Sequence, residues 1–544
     1  MHAEVRFDLL HEPLLRVRTA REAPVEYYTL PGALAALCSR TVTDFPGLSV
    51  HQRHPWYAFL VQLGAMALHR AGEEKPPTDE AAWRALLLGL TEGCAEAFAL
   101  VVEDLSQPAF FQPPVPEGHL KGFKRIAETP DLLDLLPTAK NHDVKLMRVR
   151  HALPEHWVYA LVSLQTMDGY SGKGNNGIAR MNGGYANRPC VTFVPDLTWS
   201  GRFRRDLRIL ARVRQAPPAA LDAETADADV VARVLREYPR EGGAALLWLL
   251  PWDGATQLSL EQCDPYFIEI CRRVRITSDA EVVVAHLATS SATRIAGNEQ
   301  NGVTGDPWTP VSTGEKAKAL TVMADGFSYR QTQKLLSPSD WEPAMTQRIV
   351  EDDRGDLVLS ATALVRGQGQ TDGFHTRLIP ISGAARTLFM SRSGRARIAE
   401  SAKKLVAEVD AIVNKVLKPA LCTLTQAAPD RIDFRDARPA RFIERFEKAV
   451  DERFFEVLWR TVASDSGSAE REWRSELRVL ASAEFRRACG EVPLSSARAY
   501  RTIAAAERVF GGALRKLWPD LFQPESAVPD HDTAREEHHD GPSI

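Results

Sequence analysis

Residues 169–185 read GYSGKGNNGIARMNGGY and set glycines among lysine, asparagine and arginine. Within them Gly172-Lys173-Gly174-Asn175-Asn176-Gly177 fits the string GxGxxG, and Asp196 follows about twenty residues on, the spacing of a dinucleotide site. In such a site the glycines let backbone approach a pyrophosphate that sits at the N-terminus of a continuous helix. Here the chain runs into Met181-Asn182-Gly183-Gly184-Tyr185 and then Pro189, where no helix of useful length can begin. A Walker A loop fails too, because Met167 stands where its first glycine belongs and Gly174 where Ser or Thr belongs. Two readings stay open. The loop lays backbone, Lys173, Asn175, Asn176 and Arg180 against a nucleic-acid minor groove, or it is a pair of tight turns between strands.

Other chemistry-bearing groups are thinner. Lys140, Asn141, His142, Asp143 and Lys145 hold the ingredients of an acid–base set, but Tyr170-Ser171-Gly172 is not a nucleophile elbow, and a polar turn or nucleic-acid contact fits them better. Cys263 and Cys271 lack the spacing and the histidines of a zinc site and read as small buried apolar residues. Arg366-Gly367-Gln368-Gly369-Gln370-Thr371-Asp372-Gly373-Phe374-His375 follows the apolar strand LVLSATALV as a hairpin tip rich in amides, which can match a base edge; idle polar loop residues are the simpler reading from pattern alone. Trp308 in Gly305-Asp306-Pro307-Trp308 is expected to anchor a turn in the core. His538 and His539 lie in a polar tail, where metal binding would have to order the chain first.

The elements that must position these groups are of two kinds. Apolar spacing predicts a buried helix over 55–72 ending at Gly72, a second over 79–101, a third over 202–214 with Arg204, Arg205, Arg208 and Arg212 covering its outer faces, and a short one over 229–237. Residues 7–18, broken by Pro13, read as an edge strand that turns, 106–118 as a structured proline-aromatic loop, and 245–385 as strand-rich. From about 388 the pattern changes to long amphipathic segments at 394–424, 439–463, 469–489 and 494–517, the signature of an antiparallel four-helix bundle. The fold class expected is therefore α+β: a large mixed domain over 1–387 with irregular loops, a bundle over 388–522 and a disordered acidic tail over 523–544.

Composition agrees. The chain has 544 residues, 44% hydrophobic and 25% charged, with a net charge of −4, which excludes collagen-like, disulfide-scaffold and wholly disordered classes. No run of apolar residues is long enough for a membrane span, the N-terminal residues carry Glu4, Arg6 and Asp8 in place of a signal core, and seven scattered cysteines suit a reducing, cytoplasmic compartment. Segment 390–522 holds 25 Lys and Arg against 19 Asp and Glu, so its surface is mildly basic, as an ordinary solvated helical face or as one turned toward a polyanion.

Taken in order, these segments resemble the CasA family, the large subunit of the type I-E CRISPR surveillance complex, Cascade. The likeness runs through Phe7-Asp8-Leu9-Leu10-His11-Glu12-Pro13, Ala139–Lys145, Gly169–Pro189 with Thr192-Phe193-Val194, Cys263-Asp264-Pro265, Gly305–Pro310, Arg366–His375 and the terminal helices, roughly 1–520. The resemblance implies a subunit with no catalytic centre and no cofactor. Its implied partners are the other Cascade subunits, the 5′ handle of the guide RNA, double-stranded target DNA and the helicase-nuclease, with no membrane. It implies that Gly169, Tyr170, Ser171, Gly172, Lys173, Gly174 and Asn175 lie against the minor groove of the protospacer-adjacent motif. It implies that Gln368, Gly369, Gln370 and Thr371 wedge the strands apart to start the R-loop, one of the two glutamines being the wedge. It places Lys140, Asn141, His142 and Lys145 by the RNA handle and a neighbouring subunit. From charge, Arg395, Lys403, Lys404, Lys415 and Arg486 are expected to contact DNA backbone. The chain departs from the family twice. Some relatives carry a zinc-binding CxxC beside the Cys263 region, absent here, so no metal is expected; and the family's central lysine at the motif has only Arg294 or Lys316 as stand-ins. The alternative outside this family is a nucleotide- or metal-dependent enzyme using the 172–177 loop or the His142–Asp143 pair.

Overall fold

The computed structural model describes residues 6–134, 149, 151–183, 187–215, 230–279, 282–314, 316–367, 370–428, 430–463 and 468–522. They are mixed helix and strand, an α+β chain, and divide into two compact units, Met1–Ala402 and Lys403–Ile544. Among the described residues no helix is long and apolar enough to cross a membrane.

The first unit is built around one helix. Helix α1 (Leu30–Ser39) is capped by Thr29, whose hydroxyl accepts the Gly32 N–H at 2.9 Å. Helix α2 (Arg53–Ala71) matches the apolar run expected at 55–72 and is buried from His54 to Leu68. A helix apolar on all faces must be covered on all faces. Helix α3 (Glu80–Leu90), helix α4 (Pro154–Met167) and helix α5 (Trp199–Gln215) supply part of that cover. At Gly64 the side chains of Trp83, Phe203 and Leu207 come close enough that an added methyl would touch all three. The helix expected over 79–101 stops at Leu90, because the Leu88 carbonyl takes the N–H groups of Thr91 and Gly93 and turns the chain. Ala97 and Phe98 beyond it are buried from a separate turn, Ala95–Phe98, which is why the apolar pattern continued.

Strands follow as several small sheets. Strand β1 (Leu15–Val17) pairs with β2 (Glu26–Tyr28); the edge strand expected over 7–18 is reduced to β1 plus isolated bridges from Asp8 to Ala99 and from Arg18 to Asp44. Strand β3 (Arg125–Ala127), β7 (Arg273–Asp279) and β8 (Val282–Ala288) form an antiparallel sheet in the order β3-β8-β7. Strand β5 (Ala244–Leu246) lies parallel to β6 (Cys263–Ile268), and β9 (Val311–Ser312) pairs with β10 (Trp341–Glu342). Strands β11 (Leu357–Gly367) and β12 (Gln370–Ile381) make a long hairpin, and β4 (Cys190–Val194) adds to β11, Cys190 opposite Thr362 and Val194 opposite Val358. The chain leaving the glycine-rich segment therefore enters this sheet at the end of β4 nearer the hairpin tip. Short helices α6 (Val230–Leu235), α7 (Tyr329–Leu335) and α8 (Gly383–Phe389) fill the connections.

A buried carboxylate ties these layers. Asp206 of α5 accepts hydrogen bonds from Tyr57 Oη at 2.7 Å, Trp308 Nε1 at 2.9 Å and Thr192 Oγ1 at 3.0 Å. Trp308 is fully buried, as the turn motif led us to expect. Arg205 is a correction: expected on a solvated face, it is 2% exposed and forks onto Asp353 at 2.8 and 2.9 Å.

Helix α9 (Arg392–Ile412) carries the boundary between the units, after Ala402. The second unit continues through a π-turn (Val413–Leu417), α10 (Lys418–Thr425), α11 (Ala440–Asp451), α12 (Phe454–Ala463), α13 (Ser468–Glu491) and α14 (Ser496–Leu517). The single helix expected over 394–424 is thus widened just ahead of Pro419, whose missing N–H the wider turn accommodates. The segment 439–463 is jogged between Asp451 and Phe454. Cross-links set antiparallel neighbours: Arg445 bonds Glu484 and Glu491 at 2.8 and 2.9 Å, Arg460 bonds Glu476 at 2.9 Å, and Phe485 stacks on Phe510 at 4.7 Å. Trp473 Nε1 donates to the Leu405 carbonyl at 3.2 Å, and Trp518 Nε1 to Glu408 at 2.9 Å, so the first, third and fourth segments share one core.

Candidate nucleic-acid interface

The glycine loop leaves α4 at Asp168 and is strapped by one arginine. Arg272, just ahead of β7, has a side chain only 5% exposed. Its Nη2 pairs with Asp168 and donates to the carbonyl of Gly169 at 2.8 Å and to Ser171 Oγ at 3.3 Å. Its Nη1 donates to the carbonyls of Asn176 and Cys271. Both ends of the loop thus hang on one planar guanidinium, a job its fixed fork of donors suits. Inside the loop Ser171 N–H donates to Asn175 O at 3.0 Å, Asn175 N–H to Gly172 O at 2.9 Å, and Ile178 N–H to Asp168 O at 3.2 Å.

The outer flank is held by the segment after β8. Ser290 N–H donates to Gly174 O at 2.9 Å, and Asn176 Nδ2 donates to Ser290 Oγ at 3.2 Å. Gly174 has φ +82, and a β-carbon there would lie 2.6 Å from Thr289 Cβ, so glycine is required on both counts. At Gly172 an added β-carbon meets nothing within 4 Å, and Ser171 and Lys173 are exposed while Asn175 is half-buried. The loop offers backbone and one lysine outward from a fixed base.

The chain after the loop turns inward. Among the described residues between Gly177 and Cys190 there is no helix, as the sequence led us to expect. Arg180 is a correction: expected beside the loop as a free cation, it is 1% exposed, lies 4.1 Å over the Phe267 ring and faces Asp306 at 3.7 Å. Arg188 bonds the same Asp306 at 2.5 Å. Burial pushes the Asp306 carboxyl up, and the two guanidinium groups outweigh it, leaving the group below its ordinary value. Glu269 accepts the Ala179 N–H at 2.6 Å, and burial pushes its carboxyl up to about 7 despite Arg180 and Arg188.

Arg294 is likewise buried, 2% exposed, with its guanidinium 5.7 Å over Trp252; of the two stand-ins for a central cation only Lys316 is exposed. Cys263 and Cys271 are buried, as expected of small apolar residues, and no group of three or more His, Cys, Asp or Glu that could hold a metal occurs among the described residues.

In the hairpin, Arg366 pairs with Thr371 and Gly367 with Gln370, with a bulge at Asp372. Gln368 and Gly369 lie outside the described residues, as do Lys140, Asn141, His142 and Lys145 and the tail over 523–544. The anchors of the 140–145 segment are described. Ahead of it, Asp134 is bonded to His51 Nε2 at 2.8 Å and to Gln52 Nε2 at 2.7 Å. After it, fully buried Glu155 takes the Arg16 N–H at 2.9 Å, the Arg16 guanidinium and the Tyr159 hydroxyl at 3.3 Å. In the second unit Lys403, Lys404, Lys415 and Arg486 are exposed, and Arg395 of the first unit is half-buried in a cleft with Phe193, Trp341 and Phe389. Sequence reasoning missed Arg272, Asp168, Glu269 and the Thr289–Ser290 flank. Only the charge of Arg272 inside the apolar run YFIEICRRVRI signalled it.

No family model matches the sequence, and no curated protein matches it by sequence. Solved structures match by shape. Cse1 from Acidimicrobium ferrooxidans aligns with a TM-score of 0.62 at 15% identity, over 95% of this chain and 99% of that one. A CRISPR-associated protein from Thermus thermophilus aligns with a TM-score of 0.61 at 17% identity, over 94% of this chain and 100% of its own. Cse1 from Thermobifida fusca gives 0.61 at 16% identity, over 94% and 98%. Likeness across nearly the whole of both chains, helical end included, identifies the architecture: this chain has the fold of the Cse1/CasA proteins.

Proposed function

We propose that the chain is the non-catalytic large subunit of a type I-E Cascade in CRISPR defence, working in the cytosol with the other subunits. It reads the protospacer-adjacent motif in duplex DNA through residues 169–175, chiefly from the minor groove, whose degenerate pattern suits contact by backbone and lysine. The tip at 368–371 wedges the strands and starts the R-loop. The 140–145 segment sits by the 5′ handle of the guide RNA. Lys403, Lys404, Lys415 and Arg486, with Arg395, contact DNA backbone, and the subunit docks the helicase-nuclease. Base pairing with the guide reads sequence while the protein reads a short motif, and because strand exchange is nearly balanced, modest protein contacts suffice to tip it.

The observation that carries this reading is the strapped loop: Arg272 closes its base and leaves Ser171, Gly172 and Lys173 facing out, on a fold shared with Cse1/CasA proteins. The nucleotide-site alternative would need a helix N-terminus after the loop to meet a phosphate, and the described residues 178–183 and 187–189 form turns and extended chain. The test is the assembled complex carrying Lys173→Ala with Asn175→Ala, titrated with targets that contain or lack the motif. The preference for the motif should collapse. Undiminished preference would assign motif reading elsewhere.

A further inference from the structure

The hairpin β11–β12 is gripped from both faces a few residues behind its tip. Successive side chains of a strand point to opposite faces, and here the consecutive pair Phe374 and His375 each find a rigid seat. The Phe374 ring lies 5.6 Å from the His54 ring at a tilt of 38°. His54 sits in the first turn of α2, 4% exposed, and neither ring nitrogen has a hydrogen-bond partner. Burial, with Arg188 and His51 adding to it, pushes His54 down to about 3, so the ring is neutral and serves as a flat packing surface.

On the other face, His375 lies on glycine. A β-carbon on Gly326 would stand 2.3 Å from His375 Nδ1 and 2.7 Å from its Cγ. Gly326 closes the turn Met323–Gly326 by donating its N–H to Met323 O at 2.9 Å, at φ +66. Gly373 bounds the slot on the ring's other edge, its β-carbon position 3.1 Å from Nε2, an atom that is buried without a partner. Immediately tipward the ladder slips at Asp372, so Gly373 faces Val365 and Thr371 faces Arg366. Such a bulge re-aims what lies beyond it.

We propose that these contacts are a two-sided clamp, making His54, Gly326, Phe374 and His375 positioning residues for strand separation: they fix the direction and stiffness of the tip. The proposal rests on the wedge reading above. A tip that swings freely still touches DNA but cannot hold two bases apart, whereas a tip on a fixed fulcrum can. None of the four needs to contact nucleic acid.

The test uses the assembled complex with His375→Ala, Phe374→Ala and Gly326→Ala, each titrated with a duplex target and with the same target already mismatched open beside the motif, together with 2-aminopurine fluorescence at the first base pairs. The clamp variants should bind the duplex target ~10-fold or more weakly, about 1.4 kcal/mol, and open it slowly, yet bind the open target within ~2-fold of the parent. Equal losses on both targets, or none on either, overturn the clamp. Because Gly326→Ala also strains its own backbone, His375→Ala, which only removes atoms, decides if the two disagree. The tip variant Gln370→Ala with Thr371→Ala separates the two ideas. If it leaves opening intact, the wedge reading falls and the clamp with it; if it blocks opening while the clamp variants do not, the clamp alone is refuted.

Discussion

Replacing Arg272 by methionine removes the guanidinium and keeps an unbranched apolar stem. The loss is concentrated. Asp168, whose side chain is 8% exposed, is deprived of its cation, and the carbonyls of Gly169, Asn176 and Cys271 each lose a donor. Breaking one side of a buried ion pair costs about 3–5 kcal/mol, and the lost carbonyl bonds overlap with that figure rather than adding to it in full. Expressed as local opening of the loop, this lowers amide protection by about two to four powers of ten. Hydrogen exchange at Ser171, Asn175, Ile178 and Ser290, whose N–H groups are bonded within or across the loop, reads it directly, with the amides of α2 as the reference. Arg272→Lys restores a charge for Asp168 but not a planar fork, so it should fall between parent and methionine variant. Unchanged protection in a folded Arg272→Met protein would show that something other than this guanidinium holds the loop. An equal loss across α2 would make Arg272 a general core residue rather than a strap.

Two further outcomes follow from burial. The Glu269 carboxyl is raised from an ordinary 4.5 to about 7 by burial, so its protonated form contributes stability that is fully present below pH about 4.5 and lost as pH rises through about 7, at most about 3 kcal/mol; Glu269→Gln should gain on the parent in unfolding midpoint between pH 5 and pH 8, and parallel midpoints across that range would refute it. Trp473→Ala empties a fully buried site and removes the indole donor to the Leu405 carbonyl, which should destabilise the helical unit by about 3–5 kcal/mol, seen as faster exchange along α13 and α14, with the strands of the first unit as control.

What could be read from sequence was whatever local pattern decides. The run 55–72 is apolar on all sides, and only a buried helix accommodates that, so α2 came out within two residues at either end. The amphipathic segments after 388 likewise became helices. The run over 79–101 misled because periodicity registers burial and not continuity: Ala97 and Phe98 are buried, but from a chain that had already turned at Gly93.

The buried arginines were illegible for a different reason. Arg180, Arg205 and Arg272 look like surface residues from their neighbours in sequence, and each is kept inside by a carboxylate far along the chain: Asp306, Asp353 and Asp168. In these three cases the pairing is what admits the charge to the core, so its location is a property of the pair, and no window around one member contains the other. The glycine string shows the same limit. GKGNNG is compatible with a phosphate loop or with a loop turned outward. What separates them is the absence of a helix after Gly177, which sequence could state, and the guanidinium that ties Gly169 to Asn176, which it could not. For the motif-reading role proposed above, the second fact counts for more than the first, because a backbone surface can press on a double helix only if its base does not yield.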